Sequence, residues 1–387
     1  MLELALKGGR GYGLWLGFLG VFLVAGLAAY LYQYQLGLTV TGLSRDVSWG
    51  LYVAQLTFLV GVAASAVMLV LPYYLHHYQD FGRLVILGEF LAVAAVIMCM
   101  LFVTVDLGKP DRLTNLFLHP TPGSVLFWDV MVLSSYLLLN LVVGWTTLAA
   151  ERKQLPPPTW IKPLVYLSVP LAVSIHTVTA FLYAGLPGRG YWLTAILAPR
   201  FLASAFAAGP AVLILLVLLL RRVAGFDAGA KALQSLAKIV CYSIILHLFF
   251  FGLEVFTVFY SQIPSHMSHF FYLYAGGGGL TPWMWAALVM GGAATLLLLA
   301  PGWRARRGVL ALAAALVLGC TWIDKGLGMM AGGFIPNPLH EITPYSPTWV
   351  EVVIALGIYA LGALIVTVFY QVVLQVRRET GGRLAPH

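Results

Sequence analysis

Long apolar runs separated by short polar segments fill the chain from end to end. Each run is about 20 residues or longer, which is the length that an α-helix needs to cross the hydrocarbon core of a bilayer. The runs cover residues 13–32, 49–75, 84–106, 125–149, 161–184, 200–220, 233–261, 281–300, 308–330 and 349–376. The pattern predicts an all-α, polytopic membrane protein with about ten transmembrane helices in helical bundles. Because no segment between the runs is long enough for a separate soluble domain, we expect residues 1–387 to form a single transmembrane domain.

The composition agrees with this prediction and excludes other classes. Hydrophobic residues make up 61% of the chain and charged residues 9%, whereas soluble domains carry about 25% charged residues. The three cysteines, Cys99, Cys241 and Cys320, fall inside apolar runs and lack the close spacing of zinc or iron–sulfur ligands, so we expect no metal site. The net charge of +8 comes from basic residues scattered over short loops. That distribution indicates membrane orientation and does not favour binding to nucleic acid.

The basic residues divide unevenly between the two sides of the predicted membrane domain. Of the 22 Lys and Arg residues, 16 fall on the side that holds both termini and 6 on the other. By the positive-inside rule we expect both termini to be cytoplasmic. Lys7 and Arg10 precede the first run without a convincing cleavage site, so we expect a retained span. The non-cytoplasmic loops are longer and rich in Gly, Pro and aromatic residues, which predicts that they contact a partner or cover a pocket.

Polar side chains inside the spans are costly in a bilayer, so each needs a partner or a role. Several of them fall in the predicted outer half of the membrane, where they could face one shared polar pocket. They are Gln55, Asp106, Asp129, Tyr183, Glu254, Asp324 and Lys325. The alternative for any one of them is hydrogen bonding between helices. The size of the cluster favours a pocket.

Helical spacing predicts which polar residues share a face. Tyr136 and Asn140 follow Asp129 by seven and eleven positions, which places all three near one face of the fourth span. His176, Thr179 and Tyr183 form a similar stripe along one face of the fifth span. Proline residues at 170 and 210 interrupt the fifth and sixth spans, and the first of them is expected to open the helix beside His176.

Glu89 is the one carboxylate of the predicted inner half of the membrane. A proton path from Glu89 through His247 to Glu254 is one hypothesis for its role. The alternative is that the Glu89 side chain extends to the cytoplasmic surface.

Five strings distributed over the chain resemble one known family. They are "SRDVSWGLYVAQLTFLVGVAAS", "DLGKPDR", "SVLFWDVMVLSSYL", "HTVTAFLYAGLPGRGYWLTAILAPRFLASAFAAGP" and "IDKGLGMMAGGFIPNPLHEITPYSPTW". Together they resemble the NrfD/PsrC superfamily of quinone-interacting membrane subunits. The closest resemblance is to its ten-span branch, which includes the P subunit of the sulfite-reduction-linked Dsr complex and relatives in the Hmc and hydrogenase-2 complexes.

The resemblance implies a protein of the prokaryotic cytoplasmic membrane that carries neither haem nor an iron–sulfur cluster of its own. Such subunits exchange electrons between membrane menaquinone, or another quinone, and a ferredoxin-like iron–sulfur subunit on the periplasmic side. Proton uptake or release accompanies this exchange. Further partners implied are a multihaem cytochrome c, other membrane or cytoplasmic redox subunits, and lipid.

The candidate site combines the polar residues with the strings that carry the resemblance. A quinone ring needs hydrogen-bond donors at both carbonyls and a proton acceptor in an apolar slot. We predict reactive roles for four residues: His176, Asp129, Glu254 and Asp106. We predict quinone binding by a larger set: His176, Tyr183, Asp129, Tyr136, Gln55, Trp49, Arg45, Asp46, Lys109, Arg112, Asp324 and Lys325.

Two other functions fit parts of the sequence. A b-type cytochrome would use His176 and His247, the two histidines at mid-membrane depth, as haem ligands. A secondary transporter would use Glu254, Asp324 and Lys325 as its ion or substrate site, although no internal repeat is apparent.

Overall fold

Ten helices of the computed structural model, which describes residues 1–76, 78–276 and 279–381, are long and apolar enough to cross a membrane. The regular α-helical parts of these ten spans are α1 Arg10–Leu36, α2 Leu51–Ala63, α3 Val85–Asp106, α4 Val125–Lys153, α5 Ile161–Ala184, α6 Leu197–Ala224, α7 Ala230–Ser261, α8 Thr281–Leu299, α9 Arg307–Thr321 and α10 Trp349–Glu379, and the spans of α2 and α9 extend to Tyr74 and Phe334. The described residues contain no β-strand. The prediction of an all-α, ten-span membrane protein is therefore confirmed. Arg383, one of the basic residues used for orientation, lies outside the described residues.

Two of these helices continue beyond an irregular turn. After α2 the chain forms the helical turn Val67–Val70 and the π-helical turn Leu71–Leu75. After α9 it forms the π-helical turn Trp322–Gly328 and the helix Met329–Phe334. A π-helical turn widens the helix and changes which residues face a neighbour. It therefore alters the register of α9 where Asp324 and Lys325 lie.

The helices form two four-helix groups with a flanking pair. The first bundle consists of α2–α5 and the second of α6–α9, and they meet where α2 packs against α6 and the π-helical turn of α9. The α2 span is buried over 94% of its most apolar window. It is therefore the central helix of the protein.

The flanking pair is α1 and α10, which pack on each other, while α10 also packs on α3. Their closest approach is at two glycines, since a Cβ on Gly26 would lie 2.6 Å from the Gly357 Cα atom. At the seam between the bundles, Gly209 has the same role, because a Cβ there would lie 2.7 Å from the Ser65 nitrogen. Pro170 and Pro210 lie inside helices that run on without a break, so the predicted opening at Pro170 does not interrupt α5.

The long loops all lie at one end of the helices, which we call the loop face. They include the short helix Pro264–Tyr274 and the segment 335–348. The second of these is fixed by Tyr345, whose hydroxyl donates to Glu351 at 2.6 Å and accepts from the Leu51 nitrogen at 2.7 Å. The loop face is therefore a folded covering over both bundles.

Candidate functional site

The stripe on α5 is the core of the first bundle's polar group. His176, Thr179 and Tyr183 are each 0% exposed, as the predicted helical spacing requires if one face of α5 points inward. The Thr179 hydroxyl donates to Asp129 of α4 at 2.6 Å, and Tyr183 shares a short hydrogen bond with Thr57 of α2. The stripe therefore joins three helices of the bundle.

Several buried polar atoms of this group have no hydrogen-bond partner among the described residues. They are both ring nitrogens of His176, Oδ2 of Asp129 and Nε2 of Gln55. Gln55 Oε1, in contrast, accepts from Trp322 at 2.8 Å and from Tyr359 at 2.6 Å. Buried polar atoms are normally paired, because an unpaired one loses its hydration without compensation. These atoms are available to a ligand or to water.

Tyr136 belongs to the same bundle but faces the break in α2. It is fully buried, and its hydroxyl donates to the Ala63 carbonyl at 3.3 Å. The predicted α4 stripe is confirmed by the burial of Asp129, Tyr136 and Asn140. The contact of Tyr136 nevertheless joins helices and leaves its hydroxyl occupied.

An aromatic cluster covers the group towards the loop face. The Trp49 and Trp192 rings stack with centroids 5.8 Å apart, and both contact Tyr183 and Phe334. Trp192 lies against Gly333, where a Cβ would come within 1.8 Å of its ring. We call these four residues, Trp49, Tyr183, Trp192 and Phe334, the aromatic cap. Its flat apolar surfaces separate the polar group from the loop-face exterior.

The second bundle holds a different kind of polar group, centred on Arg200. This residue is 5% exposed and lies in the first turn of α6. Its Nη2 atom lies 2.7 and 2.8 Å from the two carboxylate oxygens of Asp324, and its Nη1 atom bonds to Glu254 of α7. His247 Nε2 lies 3.1 Å from Asp324 Oδ2. Glu254 and Asp324 therefore belong to an ion network.

The ion network bears on two hypotheses about His247: that it ligates haem and that it relays protons from Glu89 to Glu254. Its Nε2 atom is engaged by Asp324 and its Nδ1 atom has no partner among the described residues. Haem ligation by His247 through Nε2 would require this pair to break. His247 also belongs to the second bundle, whereas Glu89 belongs to the first, so the structure provides no direct contact for the hypothesised Glu89–His247–Glu254 path.

Glu89 does not extend to the membrane surface. It is 1% exposed, and neither carboxylate oxygen has a hydrogen-bond partner among the described residues. Its carboxylate packs against Gly144 of α4, where an added Cβ would lie 3.0 Å from Oε2. The alternative of a surface-seeking Glu89 is wrong, because the helix face that carries it points into the first bundle.

The remaining predicted residues lie at the loop face. Arg45 pairs with Asp46 at 3.7 Å, and Asp46 also accepts from Thr343 at 2.9 Å. Lys109 and Arg112 are exposed. Asp106, at the end of α3, keeps one oxygen without a partner in the described part of the chain. These five form a rim and do not reach His176.

A cavity of about 220 Å³ opens beside this rim, between the end of α1 and the loop after α3. Its lining includes Tyr30, Gln33, Tyr34, Lys109 and Asp111. The Tyr34 hydroxyl donates to Asp111 at 2.7 Å, which closes one side of it. Lys109 is the predicted site residue that this cavity includes.

The structure thus divides the predicted single pocket. The first bundle brings together His176, Thr179 and Asp129 beneath the aromatic cap, of which Tyr183 and Trp49 are members. Gln55 of the same bundle instead contacts Trp322 and Tyr359. Glu254 and Asp324 lie in the second bundle, and Lys325 lies at the seam.

Sequence reasoning missed Arg200 as a site residue, because an arginine at the edge of an apolar run looks like a loop residue. The signal that could have identified Arg200 is the pair of carboxylates Glu254 and Asp324, which lie at similar predicted depth and need a buried cation as partner.

Comparison of the sequence with known protein families decides the family. Residues 39–333 match the family described as "Polysulphide reductase, NrfD". The chain belongs to the NrfD family. The match begins between α1 and α2 and ends in the last helical turn after α9. Both bundles lie inside it, whereas α1 and α10 lie outside.

Three relatives show how far the similarity extends along this chain. A putative membrane subunit of a dimethyl sulfoxide reductase from Halobacterium salinarum is 30% identical over 92% of this chain and 89% of its own. The integral membrane subunit of a menaquinone reductase from Nitratidesulfovibrio vulgaris is 22% identical over 92% and 90%. The integral membrane subunit of an Hdr-like menaquinol oxidoreductase from Archaeoglobus fulgidus is 24% identical over 55% and 52%.

Proposed function

We propose that this chain is the quinone-reactive membrane subunit of a multi-subunit respiratory redox complex, and that the quinone ring binds in the first bundle. Family membership and the names of two relatives, which mention menaquinone and menaquinol, support a subunit that interacts with a quinone. Ten membrane helices match the requirement that such a subunit bind a lipid-soluble substrate. The location within the first bundle is our own inference.

The observation that carries this location is the set of unpartnered atoms beneath the aromatic cap. His176 offers two ring nitrogens, and Asp129 offers one free carboxylate oxygen. A quinone has two carbonyl oxygens that accept hydrogen bonds and, when reduced, two hydroxyls that donate them. The residues therefore suit both redox forms, and the stacked rings of Trp49 and Trp192 supply an apolar wall.

The chemistry requires bases as well as hydrogen bonds. Oxidation of a quinol releases two protons and two electrons, and the protons need acceptors within hydrogen-bond reach. Asp129 and His176 are acceptors of suitable types, and Thr179 orients one oxygen of Asp129. Tyr183, a member of the aromatic cap, is held in place by its hydrogen bond with Thr57.

The orientation and the partners extend the proposal. The charge distribution favours cytoplasmic termini in a prokaryotic inner membrane, so the loop face would be periplasmic. A ferredoxin-like iron–sulfur subunit would dock there, close to the cap, and pass electrons to or from a multihaem cytochrome c. Proton release or uptake would then occur on the periplasmic side.

The test uses the intact complex, purified with its partner subunits. We expect it to oxidise a short-chain menaquinol with a soluble one-electron acceptor. His176→Ala and Asp129→Asn should each lower kcat by about 100-fold or more, because each removes a proton acceptor. The matched controls are His76→Ala and Asp80→Asn, which change exposed residues of the same types at the end of the helices opposite the loop face.

The outcomes separate the location from the function. If the wild-type complex neither binds nor oxidises the quinol, the proposed function is wrong. If it oxidises the quinol and both first-bundle variants match their controls while the partners still co-purify, the site lies elsewhere. Crosslinks from an iron–sulfur partner to residues 151–158 and 302–308 alone would reverse the orientation.

A further inference from the structure

Among the buried cations of the described residues, one differs from the others. Arg200, Lys325 and Arg377 are 5%, 4% and 8% exposed. Arg200 bonds to Glu254 and Asp324, and Arg377 lies 2.9 Å from a carboxylate oxygen of Glu151. Lys325 forms no ion pair within 4.0 Å in the part of the chain that the structure describes. A buried lysine is stable as an ammonium only when a negative group lies close to it, so a lysine at this place without a carboxylate partner requires an explanation.

The π-helical turn of α9 explains where the Lys325 side chain points. Asp324 faces Arg200 and His247 of the second bundle, whereas Lys325 faces the seam with α2. Its Nζ atom lies 4.5 Å from the centroid of the Phe201 ring and 3.5 Å from the Phe201 carbonyl oxygen. Asp324 therefore belongs to the ion network, whereas Lys325 lies at the seam between the bundles.

The ammonium group lies against the backbone of α2 at the seam. A Cβ on Gly61 of α2 would lie 3.4 Å from Nζ, which is an ordinary contact distance. The Phe201 ring offers the attraction between a cation and an aromatic face, which is weaker than an ion pair. These contacts hold the ammonium in place without neutralising it.

Lys325 is directed towards the polar group of the first bundle. Its Nζ atom lies beside Gly61 of α2, one helical turn from Thr57, whose hydroxyl shares a hydrogen bond with Tyr183 of α5. The Phe201 ring beneath its head lies 5.9 Å, centroid to centroid, from the ring of Tyr183. The unpaired cation and the unpartnered atoms of His176 thus belong to one neighbourhood.

Resting on the proposed function, we propose that Lys325 is the counter-cation of the quinone site, and that it stabilises negative charge on a ring oxygen of the bound quinone. Oxidation of a quinol breaks two O–H bonds, transfers both protons to protein bases, and passes two electrons one after the other to one-electron iron–sulfur or haem acceptors of a partner subunit, each of which is reoxidised before it takes the next electron. When a proton leaves before its electron, the ring oxygen is negative. A fixed cation in a water-poor site stabilises that charge as it develops.

The charge requirement also distinguishes Lys325 from Arg200. The Arg200 guanidinium already bonds to two carboxylates, so it has no charge to offer a ligand without breaking its network. Lys325 can approach a negative oxygen without losing any ion pair. The anionic ligand would supply the counter-charge that the protein itself does not place there.

The experiment compares Lys325→Met and Lys325→Arg in the intact complex, with Lys238→Met as the control at an exposed lysine of α7. Turnover is measured with a short-chain menaquinol and a soluble one-electron acceptor. We expect Lys325→Met to lower kcat about 100-fold, as for loss of one electrostatic stabiliser, with little change in KM. Lys325→Arg, which keeps the charge, should retain far more of the rate than Lys325→Met.

Binding of the oxidised quinone, followed by quenching of tryptophan fluorescence, separates the possible results. A wild-type complex that neither binds quinone nor oxidises quinol would overturn the proposed function itself. A wild-type complex that does both, together with a Lys325→Met variant as fast as Lys238→Met, would overturn only the role of Lys325. If Lys325→Met does not assemble, Lys325→Gln takes its place, and equal rates for Lys325→Gln and Lys325→Arg would overturn the inference.

Discussion

The two bundles bury polar groups to the same degree but satisfy them differently. In the second bundle, Arg200 bonds to Glu254 and Asp324, and His247 bonds to Asp324 from the other side. In the first bundle, His176 has no hydrogen-bond partner in the described part of the chain, and Asp129 uses one of its two oxygens. Burial alone therefore does not distinguish a structural polar group from a reactive one.

The two arrangements differ in whether their buried polar atoms are free to bind a ligand or a proton. A saturated ion network is held by several strong contacts, and replacing any member leaves another charge buried and unpaired. A buried polar atom without a hydrogen-bond partner has lost its hydration and gained no protein contact in exchange. A ligand or proton that binds there supplies the missing interaction and so offsets the desolvation penalty. On this ground the proposed reaction is assigned to the first bundle, and the network of the second bundle is expected to hold its helices in register.

The largest effect is expected for Arg200→Met. Removing the guanidinium leaves Glu254 and Asp324 close together and unpaired, which should cost about 3–5 kcal/mol of unfolding free energy. We expect a large drop in the thermal unfolding midpoint of the detergent-solubilised protein, whereas Arg378→Met, at an exposed arginine of α10, should change it little. Recovery by the triple change with Glu254→Gln and Asp324→Asn would assign the loss to charge. An unchanged midpoint for Arg200→Met would show that the network does not stabilise the second bundle.

A smaller effect on stability, with a larger effect on activity, is expected for Thr179→Val. The change removes the hydroxyl that donates to Asp129 and should cost about 1–3 kcal/mol, because a buried acceptor loses its partner. Quinol turnover should fall further than this loss of stability would suggest, since Asp129 is no longer oriented.

The matched control for Thr179→Val is Thr257→Val on α7, whose hydroxyl donates only to the Leu253 carbonyl of its own helix. Thermal unfolding and quinol turnover are measured on the same preparations. If Thr179→Val and Thr257→Val reduce turnover equally, the first bundle has no special part in the reaction.

The sequence is sufficient for features that depend on local helix geometry. The stripes of α4 and α5 follow from a repeat of 3.6 residues, which fixes the residues that share a face before any packing is known. The ten spans follow from length and hydrophobicity. Helical spacing therefore predicts the shared faces of Asp129, Tyr183 and His176, and all three are buried in the first bundle.

The sequence is insufficient where tertiary packing decides. Asp324 and Lys325 lie at the same predicted depth, which predicts a shared pocket, but Asp324 bonds to Arg200 and His247 whereas Lys325 lies at the seam between Phe201 and Gly61. Arg200 stands at the edge of an apolar run, which predicts a loop position, although α6 begins at Leu197 and places it inside the second bundle. Which helices group together depends on contacts between distant residues, and helical periodicity carries no information about them.

The smallest effect concerns the covering of the second bundle at the loop face. His269, on the short helix Pro264–Tyr274, lies with Nδ1 3.2 Å from the Ile335 carbonyl oxygen. Burial lowers the pKa of His269, and the positive charge of Arg189 acts in the same direction, whereas the Ile335 carbonyl acts against them. The charges of His266 and His340, when present, also lower it. His269 therefore remains neutral in the folded protein at pH values where the unfolded chain has begun to bind a proton.

The sign of the pH dependence follows from this difference in proton binding. The unfolded chain binds the extra proton as the pH falls through about 6.5, the usual pKa of histidine. Stability is thus complete above that pH and decreases below it, towards the lowered pKa of the folded state. We expect the unfolding midpoint of the wild-type protein to fall between about pH 8 and about pH 5.5 by more than that of His269→Gln, which cannot titrate. An equal fall in both proteins would show that protonation of His269 does not cause the loss of stability in acid. The loss would then be caused by the buried titratable groups of the two bundles.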